Sequence, residues 1–159
     1  MISSYSITFL KFIKWLLLPS NLVLRKLIPV LYALLLQVVT GIPKPDALEK
    51  FDVTAFTIKF SEKIHDYPYW LQDLSHLPLF FIFTWLAHWF FTPNDGHNSV
   101  KVKAVSTSIF YAIFNEGIQA IIPDRFPSPG DLFMNLAGVI TAAIIYIYLE
   151  KKMSKTMFH

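Results

Sequence analysis

The chain of 159 residues has no cysteine, little charge and little glycine: 16% of its residues are charged and only five are glycine. Absence of cysteine removes disulfides, thiolate metal sites and thiol nucleophiles, and leaves the redox compartment open. Soluble domains of this size carry about 25% charge, so the shortage of charge argues against a water-facing surface. The net charge of +3 is mild. Lysine and arginine flank apolar blocks instead of forming one stripe, which excludes nucleic acid as a partner. G-x-S-x-G, H-E-x-x-H and a phosphate-cradling glycine loop are all missing. No histidine, aspartate and glutamate spacing matches a known metal motif, so neither a metal nor a cofactor is expected.

What is present is apolar: 54% of residues are hydrophobic, 16% are aromatic and mean hydropathy is +0.46. The apolar residues come in four blocks, at about 27–42, 74–91, 104–122 and 132–149. Each approaches the ~20 residues a helix needs to cross a bilayer, and in lipid the backbone must satisfy its own hydrogen bonds. The expected fold class is therefore an all-α membrane protein of four transmembrane helices. Breaks rich in Pro, Gly, Asn and Asp at 92–96 and 123–130 favour turns.

Residues 1–21 differ. The stretch 5–18 is apolar but short, carries Lys11 and Lys14 on one helical face, and ends at Pro19-Ser20-Asn21. It reads as an N-terminal interfacial amphipathic helix. The competing reading extends the first span, and no small-x-small cleavage site follows the run. Residues 22–73 hold the first span and a long first outer loop. Within that loop, Phe56, Ile58 and Phe60 alternate as in a strand, whereas Phe51, Phe56, Phe60 and Ile64 share a helical face; periodicity leaves both open. Tyr67, Tyr69 and Trp70 stand where an aromatic belt would lie. A three-helix unit at 74–150 and a cytoplasmic tail at 151–159 complete the chain.

Four spans place both termini and the middle loop on one side, with Lys11, Lys14, Arg25, Lys26, Lys101, Lys103, Lys151, Lys152 and Lys155. The other side holds Lys44, Lys50, Lys59, Lys63 and Arg125 among many acids. The positive-inside rule then puts both termini in the cytoplasm.

Six polar residues interrupt this pattern. Glu116 lies inside the third block, seven residues from Pro123 and so about 10 Å from the end of the span. An ionisable group at a span centre costs up to about 3 kcal/mol on insertion scales. Gln119 follows three residues later on the same face. Both also suit a plain role in holding the bundle by interhelical hydrogen bonds. Arg125, in the turn, is either a solvated arginine balanced by Asp124 or an anchor for phosphate or carboxylate. Asp131, Asn135 and Gly138 share one face of the last block. Ser128-Pro129-Gly130-Asp131 reads as an N-cap serine, a proline at the first helical position and an acid at the third, which alone accounts for Asp131. Gly138 suits close helix packing. His76 opens the second block before Pro78, in a helix expected to be capped at Ser75. His88 has no assigned role. The six cluster toward the outer side, and no equivalent cluster is expected at the inner ends.

At Glu116-x-x-Gln119, Pro123-Asp124-Arg125 and Asp131-x3-Asn135-x2-Gly138, with His76 ahead of an aromatic-rich span, the chain resembles the VanZ-like family of bacterial membrane proteins. The likeness covers roughly 70–150. Gln72-Asp73-Leu74-Ser75 stands where the family often has Asp-Lys. The resemblance implies the bacterial inner (cytoplasmic) membrane and a cell-envelope role, with no agreed reaction. Three functions follow as expectations. The first is an outward-facing polar pocket for an anionic head group or lipid-linked ligand, with Gln119, Arg125 and Asn135 as ligand-binding residues. The second is an intramembrane hydrolase or transferase using His76, Glu116 or Asp131 as catalytic groups, with Arg125 stabilising a developing anion. The third is a structural subunit with membrane-protein partners. Membrane lipids are partners in every case.

Overall fold

A computed structural model describes residues 4–50, 53–92, 97–123 and 125–157. Seven α-helices and no strand appear among them: α1 (Ser4–Leu17), α2 (Leu22–Thr40), α3 (Pro45–Glu49), α4 (Ala55–His65), α5 (Tyr69–Phe91), α6 (His97–Gln119) and α7 (Pro129–Met157). Three of them are long and apolar enough to cross a membrane, at Leu22–Thr40, Trp70–Phe91 and Pro129–Ser154. The third expected span is helical, as α6, but is not one of these three. Ser106, Ser108, Asn115, Glu116 and Gln119 dilute its apolar residues. The expected turn at 93–96, Phe51 and Asp124 lie outside the described residues.

The long outer loop is not a loop. It folds as α3 and α4, which resolves 55–65 as helix. Thr54 caps α4 by accepting from the Thr57 N–H at 3.4 Å. The aromatic pair Phe56 and Phe60, one turn apart, stacks on an exposed face. Helix α5 starts at Tyr69, six residues before Ser75, so Ser75 is not its cap. The Ser75 hydroxyl donates to the Gln72 carbonyl at 2.6 Å, and Pro78 sits inside the helix. The Ser128 cap is present: its Oγ accepts from the Gly130 and Asp131 N–H groups at 3.2 and 3.4 Å.

Helix α5 is the hub. Half of its most apolar stretch is buried, against 11% for α2, whose Leu27, Leu31, Leu34 and Val38 face outward as lipid-facing residues do. Phe80 and Phe83 of α5 pack with Leu36, Ala112 and Val139 in one core cluster, while Trp85, Leu86 and Trp89 pack with Leu17 and Tyr146 in another. Gly138 lets α7 press on α5, because a Cβ there would fall on the Leu77 carbonyl oxygen. Helix α1 is docked onto this bundle. The Leu16 carbonyl accepts from both Trp85 Nε1 (2.9 Å) and Trp89 Nε1 (2.8 Å), and the Leu17 carbonyl accepts from the Tyr146 hydroxyl (3.0 Å). These orphan carbonyls of the last helical turn are thereby satisfied.

Candidate functional site

The ends of α2, α4 and α6 and the beginnings of α5 and α7 meet at one end of the bundle. Antiparallel packing of α6 against α7 sets Glu116 beside Asn135, about two turns past the Ser128 cap. Parallel placement of α5 and α7 sets His76 beside the same asparagine. Asn135 is fully buried and bridges the two. Its Nδ2 donates to Glu116 Oε1 at 3.0 Å, and its Oδ1 faces His76 Nδ1 at 2.9 Å. The other carboxylate oxygen, Glu116 Oε2, accepts from the Ser128 N–H at 3.2 Å.

With the Asn135 amide nitrogen turned toward Glu116, hydrogens can be assigned along these contacts. Glu116 accepts from Asn135, so Asn135 Oδ1 is the acceptor toward His76, and His76 Nδ1 carries the hydrogen. The other ring nitrogen, Nε2, stands 3.6 Å from Asp131 Oδ1, which has no hydrogen-bond partner. A bare Nε2 and a carboxylate would be two acceptors facing each other. One proton between them turns the contact attractive, as His76⁺ with Asp131⁻ or as neutral imidazole with carboxylic acid.

Arg125 belongs to a second group of contacts. Its NH2 donates to the Thr40 carbonyl (3.0 Å) and to Gln119 Oε1 (3.3 Å), and its NH1 donates to His65 Nε2 (2.8 Å). A guanidinium only donates, so His65 Nε2 is an acceptor and His65 Nδ1 donates to the Ser61 carbonyl at 2.9 Å. The Arg125 contact requires neutral His65. Burial pushes its pKa below 6.5, and the charges of Arg125 and Lys44 push the same way. Burial also lowers the Arg125 pKa, opposed by the nearby Asp131 and Glu116 carboxylates. The bond to Gln119 orients that amide. Its Nε2 is left without a partner although Gln119 is only 1% exposed.

All six sequence-derived candidates therefore lie at one end of the bundle. His76, Gln119, Arg125 and Asp131 line a cavity of about 640 Å³, whereas Glu116 and Asn135 stand behind it as buried supports. Reasoning from sequence missed His65, Thr40 and Lys44, which also line the cavity. His65 sits at the end of an amphipathic segment with no motif around it, and Thr40 contributes a backbone oxygen, which no residue type announces. Asp73 lies against the first turn of α7, where a Cβ on Gly130 would come 2.7 Å from its Oδ2.

The opposite end holds polar groups in separate contacts. His88 is fully buried there, stacked on Tyr146 at 4.1 Å between ring centres, with Nδ1 2.8 Å from the Thr84 carbonyl. Lys101 pairs with Glu150 at 2.5 Å, and Lys26 reaches the Phe90 carbonyl. Among the described residues, no group of three His, Cys, Asp or Glu is placed to hold a metal ion.

The sequence profile of the VanZ/LLP1 family matches residues 29–150. The chain belongs to the VanZ/LLP1 family. The match begins within α2, so the VanZ-like region reaches about forty residues further toward the N-terminus than the motifs alone suggest. It takes in Thr40, His65 and most of α2. No curated protein and no solved structure matches the chain. Family membership and three apolar helices make this a VanZ-like membrane protein.

Proposed function

We propose that this VanZ-like protein crosses the bacterial inner membrane four times, with both termini in the cytoplasm, and binds an anionic head group in an outward-facing pocket. The observation that carries this reading is the state of Arg125. Its guanidinium sits in a cavity wall, and its hydrogen bonds among the described residues all go to neutral acceptors: Thr40, Gln119 and His65. A partly buried cation without a bonded carboxylate keeps its charge available, and a guanidinium binds phosphate or carboxylate through two parallel hydrogen bonds. Asn135 and Glu116 brace the wall from behind.

The test is native mass spectrometry of the protein with phosphatidylglycerol. Wild-type protein retains the lipid and Arg125→Ala releases it; equal retention by both sinks the reading. Arg125→Lys, which keeps charge but not the fork, binds with intermediate strength. The topology is tested separately, since the chain lacks cysteine. A single cysteine placed at 127 reacts with an impermeant maleimide on intact cells and one at 98 does not; the reverse pattern inverts the orientation.

One observation favours a second reading. His76 and Asp131 share a contact at the cavity wall, where a proton can pass to or from a bound ligand. An intramembrane hydrolase or transferase on a lipid-linked substrate would use His76 for acid–base work and Arg125 for the developing charge. It requires turnover of lipid phosphates that His76→Ala abolishes while lipid retention persists.

A further inference from the structure

The cavity has two ends of opposite sign. At one, Arg125 and Lys44 provide cationic groups, and Gln119 Nε2 is a buried donor with no partner. At the other, Asp73 in the second turn of α5 and Asp131 in the first turn of α7 both line the cavity, and Asp131 Oδ1, 3.6 Å from His76 Nε2, is buried without a hydrogen-bond partner. The two sets are held apart by their own contacts: Arg125 is fixed to α2, α4 and α6, while Asp131 faces His76 of α5. Pro78 adds a third acceptor. It has no N–H to offer the Leu74 carbonyl one turn earlier, and both residues lie in the cavity wall. Basic side chains line one end and acids the other, so an occupant with negative charge alone would bring the acids no donor beyond His76. A buried acceptor without a donor costs about 1–3 kcal/mol, and an occupant carrying both signs satisfies both ends.

The walls between these ends are apolar. Val39, Leu74 and Leu79 line the cavity, Leu74 is 42% exposed, and Phe126 at its edge is 80% exposed. This wall runs into the outward face of α2 at Val38, which is the surface that lipid chains would cover.

Resting on the head-group reading above, we infer that the ligand is a lipid with a zwitterionic amino-phosphate head, of the phosphoethanolamine kind. Its phosphate lies on Arg125, Lys44 and Gln119 Nε2. Its ammonium donates to Asp73, Asp131 and the Leu74 carbonyl. One acyl chain leaves along Val39 and Leu79.

The experiment is native mass spectrometry of the full chain with phosphatidylethanolamine, phosphatidylglycerol and phosphatidylcholine of identical acyl chains, and with free O-phosphoethanolamine. Wild-type protein retains phosphatidylethanolamine roughly tenfold more than phosphatidylglycerol, the value of one charge-assisted hydrogen bond. Phosphatidylcholine, whose ammonium has no hydrogen to donate, is retained no better than phosphatidylglycerol. Asp73→Asn and Asp131→Asn each lower the ethanolamine-to-glycerol ratio, and Arg125→Ala lowers retention of both. Free O-phosphoethanolamine competes only weakly, because the apolar wall contributes nothing to it; competition equal to the lipid's overturns the lipid source. Equal retention of the ethanolamine and glycerol lipids, with a ratio unmoved in both aspartate variants, overturns the inference and leaves the anionic head-group reading standing. Retention of no lipid, or retention indifferent to Arg125→Ala, overturns both.

Discussion

Replacing Asn135 by alanine tests the polar chain that ties α5, α6 and α7 together. The asparagine is fully buried, and its amide makes two side-chain bonds, to His76 at 2.9 Å and Glu116 at 3.0 Å. Alanine strands one imidazole N–H and one carboxylate oxygen in the interior. In a water-soluble protein each stranded group costs about 1–3 kcal/mol. Within membranes, measured interhelical hydrogen-bond couplings average about 0.6 kcal/mol and reach about 1.7 kcal/mol, because the unfolded chain also finds partners there. Two bonds near the upper membrane value give a loss of about 2–3 kcal/mol. The chain has four tryptophans, so their fluorescence can follow unfolding by a denaturing detergent added to mild-detergent micelles. A double-mutant cycle with Glu116→Ala isolates the pair: coupling of at least about 0.6 kcal/mol is expected if the two side chains share a bond. A loss within about 0.5 kcal/mol, the range of surface substitutions, together with additive effects of the two variants, would refute the bridging role of Asn135.

Other perturbations address the remaining contacts. Gly138→Ala puts a methyl group on the Leu77 carbonyl and should cost about 1–3 kcal/mol as α7 is pushed off α5, read by the same unfolding assay. Trp85→Phe and Trp89→Phe each leave the Leu16 carbonyl one donor, so either alone should cost under about 1 kcal/mol; only the double variant should expose α1 to added protease. His65 is neutral in the native state and its pKa lies below the unfolded value near 6.5. Its contribution to stability is therefore full above about pH 6.5 and is lost as pH falls through the lowered native value. His65→Gln, which keeps an acceptor for Arg125 but does not titrate, should flatten the unfolding midpoint between pH 7 and pH 5. A slope unchanged by that substitution would place the acid sensitivity elsewhere.

The separation between what residues announce and what folding decides runs through particular positions. The apolar blocks dictated helices because a lipid-facing backbone has no other way to satisfy its hydrogen bonds. Ser128-Pro129-Gly130-Asp131 dictated the start of α7 through local capping geometry, and the spacing of Glu116 with Gln119 and of Asp131 with Asn135 placed each pair on one helical face. Local rules misplaced the start of α5: Ser75 has the chemistry of a cap, but its hydroxyl turns back to Gln72 because the helix already began at Tyr69. They also left 55–65 undecided between strand and helix, since a short apolar run fits both periods. Only tertiary structure paired His76 with Asn135 across 59 residues and Arg125 with His65 across 60. Interhelical register makes those pairs, and no periodicity within one helix carries it. The Thr40 carbonyl joins the site as a backbone oxygen, common to every residue type, so its role arises from where α2 ends. The sequence alone thus determined that polar groups would stand at the ends of apolar helices; the packing of α2, α4 and α6 around α5 and α7 decided which of them would meet, because contact between distant residues is a property of the assembled bundle.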